Sequence, residues 1–341
     1  MKKIYLMAAA FATLVGATSC SNENDPVQVP QGETTLAVKG VGLNSLNTKA
    51  GITATAFTGT EKLGLFIYRN TGISDANKDY NDATSTIRTV NVEYSAVTPF
   101  AAVGQGIVLS NVMGTVYSYY PYDAANESQD GTAIPVTVAD NQGTGQSDGT
   151  KDVNEQTDYM WSDPVSNISK AQPTVALSMN HALAMVSFKF VQTDDEGIKY
   201  PGEGKVSAIV LKNKSTKTAI KSGNATMHIG TGDITGGTAS ANGISLAPST
   251  SESLMDVEDP AKLPRLLLYP TAVAAGDAEV TITVDGNSYT LDIPAVVEGY
   301  KAGNNYEYTF TMKGTDLEIT NVTIKAWITT EINGGDIQNP D

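Results

Sequence analysis

The sequence predicts an all-β protein of two β-sandwich domains in tandem. Short runs rich in Val, Ile, Thr and Tyr recur through most of the chain, and clusters of Gly, Asn and Asp separate them. No segment carries a convincing helical period. Thirty-one glycines and fifteen tyrosines against two histidines fit the same class. At about 150 residues per domain, the length gives two units, expected at 50–180 and 181–341.

The elements follow in order. Residues 35–43 (TLAVKGVGL) form the first strand-like run, and 63–68 (LGLFIY) is continuous and apolar, as for a strand buried on both faces. Residues 86–94 alternate, with Ile87, Val90 and Val92 between Arg88, Asn91 and Glu93. Further strands are expected at 106–109, 115–120, 134–138, 174–179, 184–191, 205–212 and 225–229. The series continues at 265–269, 278–284, 288–293, 306–312 and 317–329. Asp285-Gly286-Asn287 reads as a hairpin turn, because glycine accepts positive φ. Residues 256–263 suit one short turn of helix, and 123–133 and 139–158 read as surface loops.

The N-terminus reads differently. Lys2 and Lys3 precede an apolar run from Ile4 to Val15, and Gly16, Ala17, Thr18 and Ser19 lead into Cys20, the single cysteine. Residues 1–19 have the order of a cleavable signal, too short to span a bilayer. A cysteine directly after the site is the bacterial lipoprotein pattern, in which the Cys20 thiol takes a diacylglycerol and becomes the first residue. Acyl chains at ~0.8 kcal/mol per buried methylene then hold the protein to a membrane. The competing reading is an ordinary secreted protein. Residues 21–32 (SNENDPVQVPQG) read as a polar, acidic tether, so 20–49 comprises lipid site, tether and first strand.

Loss of Lys2 and Lys3 with the signal takes the formal net charge from −15 to −17. Such a chain repels nucleic acid, and no nucleic-acid partner is expected. With the one thiol spent on lipid, no disulfide is available. The inventory for catalysis is thin, and no enzyme activity, cofactor or metal is expected. His181 reads as a structural histidine and His228 as solvent-facing. Asp75, Asn77, Asp79 and Asp82 mimic the start of a calcium loop, but Tyr80 and Thr86 stand where glycine and a bidentate glutamate belong. Gly230-Thr231-Gly232 and Gly236-Gly237 read as turns, and Trp161 and Trp327, distant in sequence, as packing residues.

Two features stand above this background. Strands lie near both ends: residues 35–43, and an amphipathic strand at 317–332, whose apolar surface is Ile319, Val322, Ile324, Trp327, Ile328 and Ile332. Lys49 lies in the polar segment Asn47-Thr48-Lys49-Ala50-Gly51, where a trypsin-like protease would find it if the loop is exposed.

Several stretches, taken in order, resemble the fimbrillin family, the lipoprotein pilins of the type V pilus. They are 63–68, Tyr119-Tyr120-Pro121-Tyr122, Asp158-Tyr159-Met160, 175–190 with Asn180-His181-Ala182, Tyr300-Lys301-Ala302-Gly303-Asn304-Asn305-Tyr306 with Thr309, and Val322-Thr323-Ile324 with Trp327. The resemblance implies two transthyretin-like β-sandwich domains, export to the cell outer membrane and fimbrium, and removal of the N-terminal segment by a trypsin-like extracellular protease. Carried onto this chain, the scissile bond is Lys49–Ala50, and the donor strand lies within 317–341, through Ile319, Val322, Ile324, Trp327 and Ile328. Neighbouring pilin subunits would be the partners of a shaft pilin that supports adhesion. The alternatives are a monomeric surface lipoprotein acting as adhesin or glycan-binding protein through loops 123–158, or a tip or anchor pilin.

Overall fold

The computed structural model describes residues 33–43, 57, 61–81, 88–128, 130–143, 156–193, 199–248 and 252–327. Among these residues the regular structure is β throughout, apart from 3-10 turns at Ala124–Ser128 and Pro260–Lys262, the latter inside the stretch expected to turn helically.

Ten strands come first: β1 (Thr34–Thr35), β2 (Ala37–Leu43), β3 (Lys62–Arg69), β4 (Val92–Ser95), β5 (Val108–Leu109), β6 (Gly114–Tyr120), β7 (Ile134–Val138), β8 (Met160–Ser162), β9 (Val165–Ile168) and β10 (Thr174–His181). A mixed sheet runs β2-β10-β8-β6-β3-β4, with β9 also on β6, and β1 pairs with β5. Twelve strands follow: β11 (Ala184–Gln192), β12 (Val206–Asn213), β13 (Lys221–Met227), β14 (Ile234–Ala239), β15 (Ile244–Leu246), β16 (Arg265–Leu268), β17 (Thr271–Val273), β18 (Ala278–Val284), β19 (Asn287–Asp292), β20 (Val296–Tyr300), β21 (Asn304–Lys313) and β22 (Asp316–Ala326). They form sheets β16-β11-β21-β22 and β15-β12-β18-β19, a pair β17-β20, and a sheet β14-β13-β7 that takes its third strand from the earlier part of the chain.

Two hydrophobic clusters lie between these layers. β3 serves both, since alternate side chains of a strand point to opposite faces. Leu63, Leu65 and Ile67 enter the smaller cluster, Phe66 and Tyr68 the larger. The continuous apolar reading of 63–68 therefore holds for a physical reason. In β18 the alternation is complete: Ala278, Val280, Ile282 and Val284 are buried. Thr281 and Thr283 pair on the other face with Thr290 and Ser288 hydroxyls, both at 3.0 Å. Asp285 and Gly286, at φ 46° and 81°, make the two-residue turn into β19.

Two expectations need correction. The alternating strand at 86–94 is confined to β4 among the described residues. Asn91 takes φ 47° and turns its side chain inward, donating to Asp123 O (2.9 Å) and accepting from Tyr119 Oη (2.7 Å). Gly236 and Gly237 lie within β14, where both positive φ values accommodate the irregular register against β13. Of the imagined calcium loop, Asp75 accepts from Asn77 N (2.7 Å), while Tyr80 is a core residue whose hydroxyl donates to Val112 O (2.9 Å); Asp82 and Thr86 lie outside the described residues.

Candidate functional site

The N-terminal strand is an edge strand that also closes a core. β2 pairs with β10 alone, in parallel, with a register shift that skips exposed Lys39. The shift keeps Leu36, Val38, Val41 and Leu43 facing the smaller cluster, where the first two are buried and the last two partly so. Leu36 and Val38 are two of that cluster's seventeen buried side chains, packed with residues such as Tyr94, Ile107, Val175 and Leu177.

Hydrogen bonds fix the entry of this segment. Leu36 N–H donates to Ile107 O at 2.8 Å, and Ala37 N–H to Pro173 O at 2.8 Å. The Tyr94 hydroxyl accepts from Ile107 N–H (3.2 Å) and donates to Leu36 O (3.3 Å). Burial pushes the Tyr94 phenol up to about 12, against the opposing pull of the Ile107 N–H, so it stays a neutral donor. Thr34 and Thr35 add an antiparallel pair with Leu109 and Val108. At about 1.5–3 kcal/mol per buried aliphatic side chain, with half weight for Val41 and Leu43, the gross gain is about 4.5–9 kcal/mol. That is comparable with the whole stability of a domain, about 5–15 kcal/mol.

Cys20, Lys49, Ala50 and Ile328 lie outside the described residues. Lys49 nevertheless falls in the chain between the end of β2 and the start of β3, so a break there leaves β2 held by non-covalent contacts alone.

The C-terminal candidates Ile319, Val322 and Ile324 lie on β22, and Trp327 just beyond it. β22 is part of the chain's own sheet: it pairs antiparallel with β21 from Lys313↔Asp316 to Asn304↔Ala326. Leu317 is buried, Ile319 and Val322 pack partly buried against the larger core, and Ile324 is 59% exposed. Lys325 Nζ donates to the buried Glu307 carboxylate at 2.7 Å. β22 is the last strand of its sheet, with its other edge unpaired among the described strands.

Trp327 is 4% exposed and its indole lies flat on His181, with ring centroids 4.1 Å apart and planes 5° off parallel. His181 Nδ1 meets Asp158 Oδ2 at 2.8 Å, as suits a structural histidine. Trp327 N–H donates to Gly303 O at 3.0 Å. Sequence reasoning kept Trp161 apart from Trp327, but β8 and β10 set Trp161 opposite Asn180, next to His181. No local signal could have shown this, since the pairing is long-range. The hairpin between β21 and β22, which sequence reasoning did not name, has a local signal in Gly314, at φ 57° in a two-residue turn.

A family model described as fimbrillin-like matches residues 48–327. No curated protein matches the chain. Among solved structures, a candidate cell adhesion protein from Bacteroides ovatus is similar at TM-score 0.60 and 18% identity, over 88% of this chain and 99% of that one. Another from Bacteroides uniformis gives TM-score 0.57 at 18% identity, over 86% and 99%. A fimbrial protein from Bacteroides vulgatus gives TM-score 0.53 at 13% identity, over 86% and 100%. At these identities the structural likeness speaks for the fold.

Proposed function

The chain belongs to the fimbrillin-like family, and from that premise we propose that it is a structural subunit of a surface fimbria, a shaft pilin that supports adhesion. In this reading Cys20 carries the lipid that brings the precursor to the outer membrane. A trypsin-like protease then cuts Lys49–Ala50, and subunits join by strand exchange. The protein works by binding and carries out no catalysis.

The observation that carries the proposal is the position of β2. It is the terminal strand of its sheet, it precedes the proposed cut, and with Leu36 just before it, its Val38 is buried in the core. Its departure would bare the β10 edge from Thr174 to Met179, free the Leu36 bonds to Ile107 and Tyr94, and open an apolar slot. An unpaired edge beside such a slot is a template for an incoming strand, which supplies main-chain hydrogen bonds and alternate apolar side chains. While covalently attached, β2 competes at high effective concentration and keeps the subunit monomeric. The donor comes from the C-terminal segment of a neighbour, within 317–341. A head-to-tail contact of this kind propagates as an open fibre.

Limited digestion tests the reading. Low-dose trypsin on the precursor without its signal should give a new N-terminus at Ala50, followed by oligomer ladders and fibres under the electron microscope. A product cut at Ala50 that stays monomeric would overturn it.

A further inference from the structure

A second recess lies at the far end of β10, just beyond the stretch that pairs with β2. It is a cleft of about 930 Å³, formed where the ends of β8 and β10 meet the β13–β14 turn and the segment joining β20 to β21. Its lining includes Trp161, Asn180, His181, Thr231, Asp233 and Glu298. We infer that this cleft binds a neutral oligosaccharide, a role beyond the subunit's part in assembly.

The aromatic surface is half-buried Trp161, braced by the β13–β14 turn. Gly232, at φ +74°, brings its backbone against the indole so closely that a Cβ there would overlap the ring. A fixed indole offers an apolar face to the C–H face of a pyranose. Beside it, His181 is locked between Trp327 and Asp158. Around this floor stand exposed groups that accept from or donate to hydroxyls, the Asp233 and Glu298 carboxylates and the Thr231 hydroxyl, and half-buried Asn180, whose Nδ2 donates to Asp163 Oδ1 at 2.9 Å, also lines the cleft. Thr231 Oγ1 donates to Asp233 Oδ2 at 2.8 Å, which orients that carboxylate. Few polar groups converging beside an aromatic wall in a cleft of this size fit ligand sites in general.

The charges select the sugar class. Two carboxylates line the cleft, and its lysine, Lys301, is paired with Glu298. On a chain of net charge −15, a sialylated or sulfated glycan would meet repulsion. A peptide is the natural competitor, because Pro270 and Ala272 add exposed apolar surface to the lining.

Saturation-transfer NMR on the full-length chain, held in a detergent without a sugar headgroup, tests this with lactose, N-acetyllactosamine and mannotriose. The comparison probes are 3′-sialyllactose and a polyalanine hexapeptide. Transfer to the ring protons of at least one neutral sugar is expected, with affinity at least tenfold weaker in Trp161→Ala. Glu298→Gln, at an exposed position, should weaken binding severalfold with an unchanged melting temperature. It keeps the test decisive should Trp161→Ala fold poorly. Transfer to none of the neutral sugars, preference for the sialylated sugar or the peptide, or equal affinity in wild type and Glu298→Gln would overturn the inference. Fibre formation is untouched by any of these outcomes, so the two proposals fail separately.

Discussion

Leu36→Ala weakens the hold of the N-terminal strand by an amount the structure sets. Leu36 is 4% exposed, and truncating a buried leucine costs about 2–5 kcal/mol. Its place on an edge segment lets neighbours relax into the space, so about 2–3 kcal/mol is expected. At 1.4 kcal/mol per tenfold, that is a grip roughly 30- to 150-fold weaker. In the uncut precursor the loss shows as lower stability alone, because attachment keeps β2 at high effective concentration. After cleavage it shows as faster release of the fragment ending at Lys49. The assay cuts the protein with trypsin, desalts it at intervals, and measures the retained fragment by mass spectrometry, with light scattering following assembly. Lys39→Ala, an exposed position on β2 in the same released fragment, is the control and should release at the wild-type rate. If Leu36→Ala kept its fragment as long as wild type, or if Lys39→Ala matched its loss, burial of Leu36 would not be what holds the strand.

Two further outcomes follow from the packing and the carboxylates. Gly64→Ala would push a methyl into the Tyr119 ring and against Asn91 Oδ1. Overpacking of this kind costs about 1–3 kcal/mol, a melting temperature lower by several degrees in a thermal scan, and an unchanged temperature would refute the close approach. The second outcome is a loss of stability in acid. For Asp285, burial opposes ionisation, but hydrogen bonds from Tyr200 Oη (2.7 Å), Gly204 N (2.8 Å) and Lys205 N (3.0 Å) outweigh it and hold its carboxyl below the usual range. Asp130 is held at about 2, chiefly by the Thr132 hydroxyl. Depressed carboxylates contribute stability above an unfolded pKa of about 3.9 and lose it as pH falls through the folded value. Thermal scans should show this loss below about pH 4. Asp285→Asn should lie below wild type at pH 7 with a gap that closes toward pH 2; a constant gap would refute the linkage.

The parts of the fold legible in the sequence are those whose cause is local. The alternation of Ala278 to Val284 and the Asp285-Gly286 turn specify a hairpin with no help from the rest of the chain. The apolar run 63–68 announces burial on both faces because both clusters draw on it. Leu36 and Val38 fall in a run that reads as a strand, whereas the parallel partner strand β10 lies far along the chain and leaves no mark near them. Tertiary demand overrode pattern at Asn91, where a buried amide bound to Tyr119 mattered more than continuing the strand. The same kind of demand set β7 against β13 and brought Trp161 and Trp327 to His181.

β22 poses a constraint on any exchange that uses the C-terminal segment. Leu317 and Trp327 are buried, Ile319 and Val322 partly so, and the ladder to β21 runs from Asp316 to Ala326. Giving this strand to a neighbour would cost the donor about 4.5–9 kcal/mol of its own side-chain burial, at ~1.5–3 kcal/mol for each buried side chain and half weight for Ile319 and Val322. The receiving slot returns about the same side-chain burial, but the ten-pair ladder to β21 would be exchanged for the six pairs that β10 offers, and buried Glu307 would lose Lys325, so the exchange is net unfavourable. Transfer is therefore economical only for the portion of the proposed donor that follows Trp327, with β22 kept at home as its base. Two truncations separate the cases. Ending the chain after Trp327 preserves every β22 contact described above, so the melting temperature should stay within a few degrees of wild type while trypsin-triggered assembly is lost. Ending it after Thr315 removes β22 and should unfold the surrounding sheet, read as loss of a cooperative transition. Should the chain ending at Trp327 still polymerise after the Lys49 cut, the donor must lie within β22 after all, and the energetic argument against sharing that strand would be wrong.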